Sequence, residues 1–128
     1  MIQLFLPFPP SVNRLWRSGK GHVYPSKRYA AWRQEAAEAV SAAWSGSTML
    51  GHVSVEIRLY GDSRRRWDID NRAKAVLDLL ERMEVIGDDT QVHRLVLHRG
   101  PMRKGGGAWV ILQPMDPETA PEWPNDST

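Results

Sequence analysis

The chain contains no cysteine, which excludes disulfides, thiolate metal sites and cysteine nucleophiles. That composition accords with a reducing compartment, and a cytoplasmic location is the expectation. No apolar run approaches the length of a membrane span, and no basic segment near the start leads into an apolar stretch. Neither a spanning helix nor a signal peptide is therefore expected. The four histidines, His22, His52, His93 and His98, fall at none of the short spacings that zinc sites use. A glycine-rich phosphate loop and a Gly-x-Ser-x-Gly turn are also missing, so nucleotide-cofactor and serine-hydrolase chemistry have no support. There is no internal repeat.

Basic residues are missing from the last stretch of the chain. Residues 114 to 128 hold Asp116, Glu118, Glu122, Asp126 and four prolines, with no Lys or Arg and no apolar periodicity. They read as a flexible acidic tail. The remaining body, residues 1 to 113, carries 17 basic against 11 acidic residues, a net charge of +6 that the +2 of the whole chain conceals. Such a body suits a polyanion.

What is present centres on Arg64 to Asp89. Arg64, Arg65 and Arg66 run into Trp67, then Asp68, Asp70, Asn71 and Lys74, and after one helix length come Asp88 and Asp89. Carboxylates among cations hold nucleic acid poorly unless a divalent ion lies between carboxylate and phosphate, because both are anions. Mg²⁺ suits such a site, since it takes oxygen ligands, needs one or two carboxylates and leaves positions for phosphate. Side chains two apart on extended backbone share a side, so Asp68 and Asp70 can face one ion, with Asp70 capping a helix over Asn71 to Met83. Ala73, Val76, Leu77, Leu80 and Met83 form the apolar stripe of that helix. Lys74 lies one turn beyond Asp70 on the same face, within reach of a phosphate that the ion would hold. Taken singly, each feature has a plain structural use: an Asp before a helix caps it, Asp-Asp after Gly87 makes a turn, and an arginine run is a solvated face. Their combination at the two ends of one short helix favours chemistry.

The other segments supply a frame. Met1 to Leu6 alternates as a strand and Ser26 caps a helix to about Trp44, with a stripe of Tyr29, Trp32, Ala36, Val40 and Ala43. His52 to Tyr60 alternates cleanly, and Gln91 to Arg99 and Ala108 to Gln113 are further strands, joined by a glycine-rich hairpin tip at Gly100 to Gly107 that carries Arg103 and Lys104. Phe8 to Pro25 reads as a long loop of cations and aromatics, where Arg14, Arg17 and Lys20 can pair with phosphates and Trp16 or Tyr24 can stack on an unpaired base. The expectation is an α+β domain, a small mixed sheet of about four strands with two main helices, in the order β-α-β-α-β-β.

Leu6-Pro7-Phe8-Pro9-Pro10-Ser11 with Asn13 and Arg14, then Asp68-Ile69-Asp70-Asn71 and Lys74, Asp88-Asp89 with Gln91-Val92, and Lys104-Gly105-Gly106 together resemble the RusA family of Holliday junction endonucleases. The resemblance covers about residues 1 to 113, taken as the endonuclease domain. Trp67 departs from it where another basic residue is expected, and Val12 where a second asparagine is frequent. What the resemblance implies is Mg²⁺-dependent resolution of four-way DNA junctions by paired symmetric nicks, in recombination and repair, by a homodimer. Two-fold symmetry gives two cuts a physical rationale. The implied catalytic residues are Asp68, Asp70, Lys74 and Asp89. Asp68, Asp70 and Asp89 are the metal ligands, with Asp89 preferred to Asp88 by alignment. Asn13, Arg14, Arg17, Lys20, Arg65, Arg66, Asn71 and Lys104 are the candidate DNA-binding residues. A broader branched-DNA or flap nuclease, and a non-catalytic junction-binding protein, stay open as alternatives.

Overall fold

A computed structural model describes residues 1 to 124. Asp126, part of the expected acidic tail, lies outside the described residues. The element order is β1 (Ile2–Leu6), β2 (Trp16–Gly19), β3 (His22–Pro25), α1 (Lys27–Ala43), β4 (Val53–Tyr60), α2 (Ala73–Arg82), β5 (Val92–Arg99) and β6 (Gly107–Pro114). β1, β6, β4 and β5 form one mixed sheet in that order, and β2 and β3 form a separate hairpin. This is the expected α+β architecture with the hairpin added.

β4 is the spine of the sheet. Val53, Val55, Ile57 and Leu59 are fully buried while Ser54, Glu56, Arg58 and Tyr60 are half-buried, as the period of two requires of a strand covered on one face. Fully burying one such aliphatic side chain contributes about 1.5–3 kcal/mol. β4 runs parallel to β5, which needs a crossover connection, and α2 is that crossover. β6 returns on the other side of β4, antiparallel to it and to β1.

That return corrects the expected hairpin between the last two strands. β5 and β6 are not neighbours, so Gly100 to Gly107 crosses the end of β4 instead of closing a tight turn. Backbone bonds from Gly100 N–H to Leu59 O and from Arg103 N–H to Gly61 O hold it there.

The long loop expected over Phe8 to Pro25 is also corrected. After Leu15, which is buried, the chain forms the β2–β3 hairpin, whose strand residues are exposed apart from a half-buried Pro25. Its two turn residues, Lys20 and Gly21, both have positive φ, the requirement of a two-residue turn matched to strand twist. Trp16 packs edge-on against Tyr29 of α1 at 5.6 Å, which ties the hairpin to the body.

Ser26 caps α1 as expected, accepting from Tyr29 N–H at 3.1 Å, and its hydroxyl donates to Arg14 O at 2.7 Å. Tyr29, Trp32, Ala36 and Val40 are buried, but Ala43 is exposed because the helix ends there and Trp44 takes over the packing. α2 is shorter than expected. Asp70 does not cap it: Asp70–Arg72 form a 3₁₀ turn with no side-chain cap, and the α-helix begins at Ala73. Its buried face is Ala73, Ala75, Val76, Leu79 and Leu80, so Leu79 replaces the half-buried Leu77 in the stripe.

Candidate functional site

The segment between β4 and α2 is fixed by its tryptophan. Trp67 packs edge-on against Phe8 at 5.1 Å, lies under the Arg99 guanidinium at 3.8 Å, and its carbonyl accepts from Arg99 Nη2 at 2.8 Å. Gly61 leaves room for the ring: a Cβ there would lie 2.7 Å from Trp67 Nε1. Because Phe8 and Arg99 confine the ring, Gly61→Ala is expected to destabilise the fold by about 1–3 kcal/mol, read as a lower denaturant midpoint. An unchanged midpoint would show that the ring is free to move.

Asp68 and Asp70 follow this anchor, and both are exposed. Asn71 Nδ2 approaches Asp68 Oδ2 at 3.5 Å, so this amide is turned towards a carboxylate. At the other end of α2, Asp88 opens a 3₁₀ turn. Its carboxylate accepts from Thr90 N–H at 2.8 Å, which holds its pKa below the usual carboxylate range. Gln91 Oε1 answers by accepting from Asp88 N–H at 3.0 Å and Gly87 N–H at 2.7 Å, a reciprocal cap.

Glu81 meets this turn from α2, its Oε1 accepting from Asp89 N–H at 3.1 Å. Carboxylate oxygens of Glu81, Asp88 and Asp89 thus lie within 4.8 Å of one another, a spacing that a metal ion can bridge. Of the three expected ligands, this group contains Asp89; Asp68 and Asp70 lie outside it. Glu81 went unnoticed in the sequence. Lys74, Asp78 and Glu81 stand at i, i+4 and i+7, one helix face, and that spacing was the available signal.

Lys74 Nζ pairs with Asp78 Oδ1 at 3.0 Å. This hydrogen bond first, with Asp89 and Glu81 adding attraction, holds its pKa above the usual lysine value, so the ammonium is charged well past neutral pH. Lys74 thus lies within the field of Asp89 and Glu81, with its ammonium bonded to Asp78.

Arg14, Arg17, Arg65 and Arg66 of the expected DNA-binding set line two arginine-rich hollows. A cleft of about 470 Å³ has Arg14, Arg28, Arg65, Arg66 and Arg72 in its walls, together with Phe8, Trp67 and Asp62. A second hollow, of about 400 Å³, shares Arg14 and Arg28 and adds Arg17, Tyr24 and Lys27. Lys20 sits at the hairpin tip and Asn13 is exposed just before Arg14. Lys104 is exposed on the crossing loop, whose neighbouring Gly105 N–H donates to Asp62 Oδ1 at 2.6 Å. Arg28 and Arg72 were not singled out in the sequence because they belong to different elements, and the fold alone brings them together.

Comparison with known proteins gives a concordant result. Residues 7–111 match the family model described as "Endodeoxyribonuclease RusA". The chain is 32% identical over 113 residues to the crossover junction endodeoxyribonuclease RusA of Escherichia coli K12, covering 88% of this chain and 94% of the relative. Against the protein of that name from Enterobacteria phage 82, identity is 31% over the same shares. Among the described residues no helix is long and apolar enough to cross a membrane.

Proposed function

The chain belongs to the RusA family of endodeoxyribonucleases, and from that membership we propose that it resolves four-way DNA junctions by paired symmetric nicks, as a Mg²⁺-dependent homodimer acting in the cytoplasm. Crossover junction endonuclease activity is the property that its relatives' names carry. The observation that supports the chemistry is the gathering of Glu81, Asp88 and Asp89 at the end of α2 with Lys74 close enough to feel Asp89 and Glu81, and an arginine-lined cleft supplies cations for a polyanion.

The donor set fits a hard divalent cation. Every candidate ligand is a carboxylate oxygen, the group of Glu81, Asp88 and Asp89 concentrates negative charge, and the nearby Lys74 is engaged by Asp78. Bound there, the ion supplies Lewis-acid stabilisation of charge on the scissile phosphate. We assign Asp68, Asp70 and Asp89 as its ligands. Glu81 and Asp88 each already accept a backbone N–H of the turn, so their task is to hold Asp89 in place, while Asp89 is left to face the ion. Lys74 contributes a fixed positive charge at the phosphate as negative charge develops.

One assay tests this reading. Purified protein is incubated with labelled four-way, flap and linear duplex DNA, with Mg²⁺ and with chelator. Paired symmetric cuts in the four-way junction that chelator abolishes are expected. Cutting of the flap alone would make this a flap nuclease, and tight junction binding without cleavage would make it a binding protein.

Lys74→Met separates a catalytic role from an ordinary backbone contact. One lysine among 17 basic residues adds little to total phosphate neutralisation, yet charge placed at the reacting phosphate acts on the transition state. The single-turnover rate is expected to fall roughly 10²-fold with little change in Kd. Weakened binding at an unchanged rate would make Lys74 a simple contact.

A further inference from the structure

The cleft beneath the Arg64 to Trp67 segment carries more positive charge than the carboxylates beside it balance. Five arginines line it, Arg14, Arg28, Arg65, Arg66 and Arg72. The one carboxylate in its walls, Asp62, is already engaged by Gly105 N–H, and Asp68 attracts Arg72 from outside them. Among the described residues none of these arginines forms a salt bridge.

Arg72 is the most constrained of the five. Its Nη1 donates to Pro9 O at 3.0 Å, its guanidinium lies over the Phe8 ring at 5.1 Å, and its Nε is buried with no partner. A buried guanidinium nitrogen without a partner carries a desolvation cost that an anion in the cleft offsets.

The walls are also pre-formed. Phe8 supports Arg72 on one side and packs against Trp67, which Arg99 pins from behind. Such a cleft can receive an anion without rearranging, which keeps the ordering cost of binding low.

Resting on the reading of this chain as a junction nuclease, we infer that the cleft is a phosphodiester site adjoining the ion site, with Arg28 and Arg72 as DNA-binding residues that grip the backbone beside the cut. Arg72 follows Asp70 by two residues in the same 3₁₀ turn, and Arg66 and Trp67 of the cleft wall lead directly into Asp68, so a strand held in the cleft runs next to the two ligands assigned before α2. Arg72 can offer a fork of N–H donors and Arg28 a mobile charge, the combination that suits a phosphate oxygen pair.

Arg28→Ala is the first test, because Arg28 is exposed and its loss leaves the fold intact. Junction binding is titrated at several salt concentrations, in Ca²⁺ to suppress cutting. The log-log salt slope is expected to flatten by about one unit, with roughly tenfold weaker binding and partial rescue by Arg28→Lys. An unchanged slope and Kd would overturn the inference even if the wild-type protein resolves junctions normally. A second measurement needs no DNA and no activity. The arginine Nε–Hε resonances of the full chain are followed by NMR while inorganic pyrophosphate is added in chelator, and the Arg72 signal is expected to shift in the wild type and less in Arg28→Ala. Pyrophosphate binding with an unchanged DNA salt slope would leave a small-anion site that DNA does not use, which also overturns the proposal. Failure of the wild type to bind or cut any junction would instead sink the nuclease reading, and the two failures stay distinguishable.

Discussion

Asp89→Asn is expected to lower the single-turnover cleavage rate by roughly 10²–10³-fold, the scale of losing one charge-stabilising group at a reacting centre, while junction affinity holds or rises. The substitution removes a ligand charge, and it also removes an anion facing phosphate. Asp89 is the residue to change first because it belongs both to the expected ligand set and to the acidic group that the fold assembles. Asp70→Asn is expected to behave in the same way. Glu81→Gln keeps an oxygen for the Asp89 N–H that Glu81 now holds at 3.1 Å, so a positioning role predicts a loss of no more than roughly tenfold, against the much larger loss expected of a ligand. If Asp70→Asn cut normally while Glu81→Gln were inactive, the ion would belong to Glu81, Asp88 and Asp89, and the assignment of Asp68 and Asp70 would be wrong. The measurement is a rapid-mixing single-turnover assay with excess protein, paired with a binding titration in Ca²⁺.

How much of this was readable from the chain differs by element. β4 and α1 were legible because their information is local: period-two alternation in one, and Ser26 with a stripe at helical spacing in the other. The β2–β3 hairpin was not, since neither strand has a buried face to impose alternation and its turn places Lys20 rather than glycine or asparagine at the first positive φ. Glycines at 100 and 105 to 107 suggested a tight hairpin, but strand pairing is a non-local choice, and β6 finds its partners in β1 and β4. The site divides in the same way. Asp88 and Asp89 announced themselves by adjacency, and Lys74 by its turn of helix. Glu81 and Arg72 each sit within ordinary-looking charged helix sequence, and only the meeting of α2 with the turn before β5, and of α2's start with Pro9, gives them partners.

The acidic residues are assigned to chemistry, so affinity for a branched polyanion has to come from cations that reach it, and the β2–β3 hairpin is the element built for reach. Its strands are almost wholly exposed, Arg17 and Lys20 project from it and Arg14 stands at its base, so the triple Arg14→Ala, Arg17→Ala, Lys20→Ala variant removes its principal cationic charge without touching the buried core. Three lost phosphate contacts are expected to flatten the log-log salt slope by about three units and to weaken junction binding by roughly two orders of magnitude near physiological salt. Deletion after Gln113 provides the opposing case. It removes four acidic and no basic residues, though it also removes Pro114, the last residue of β6, and the bond from Met115 N–H to His52 O. A shorter deletion after Met115, which keeps that bond, is therefore the cleaner comparison and is expected to leave binding unchanged or slightly tighter. Light scattering alongside the titrations reads the mass of the active species. An unchanged slope in the triple variant would rule out anchoring by the hairpin, a collapse of binding on the shorter deletion would move affinity to the tail, and full activity in a monomer would remove the reason for pairing two sites across a two-fold axis.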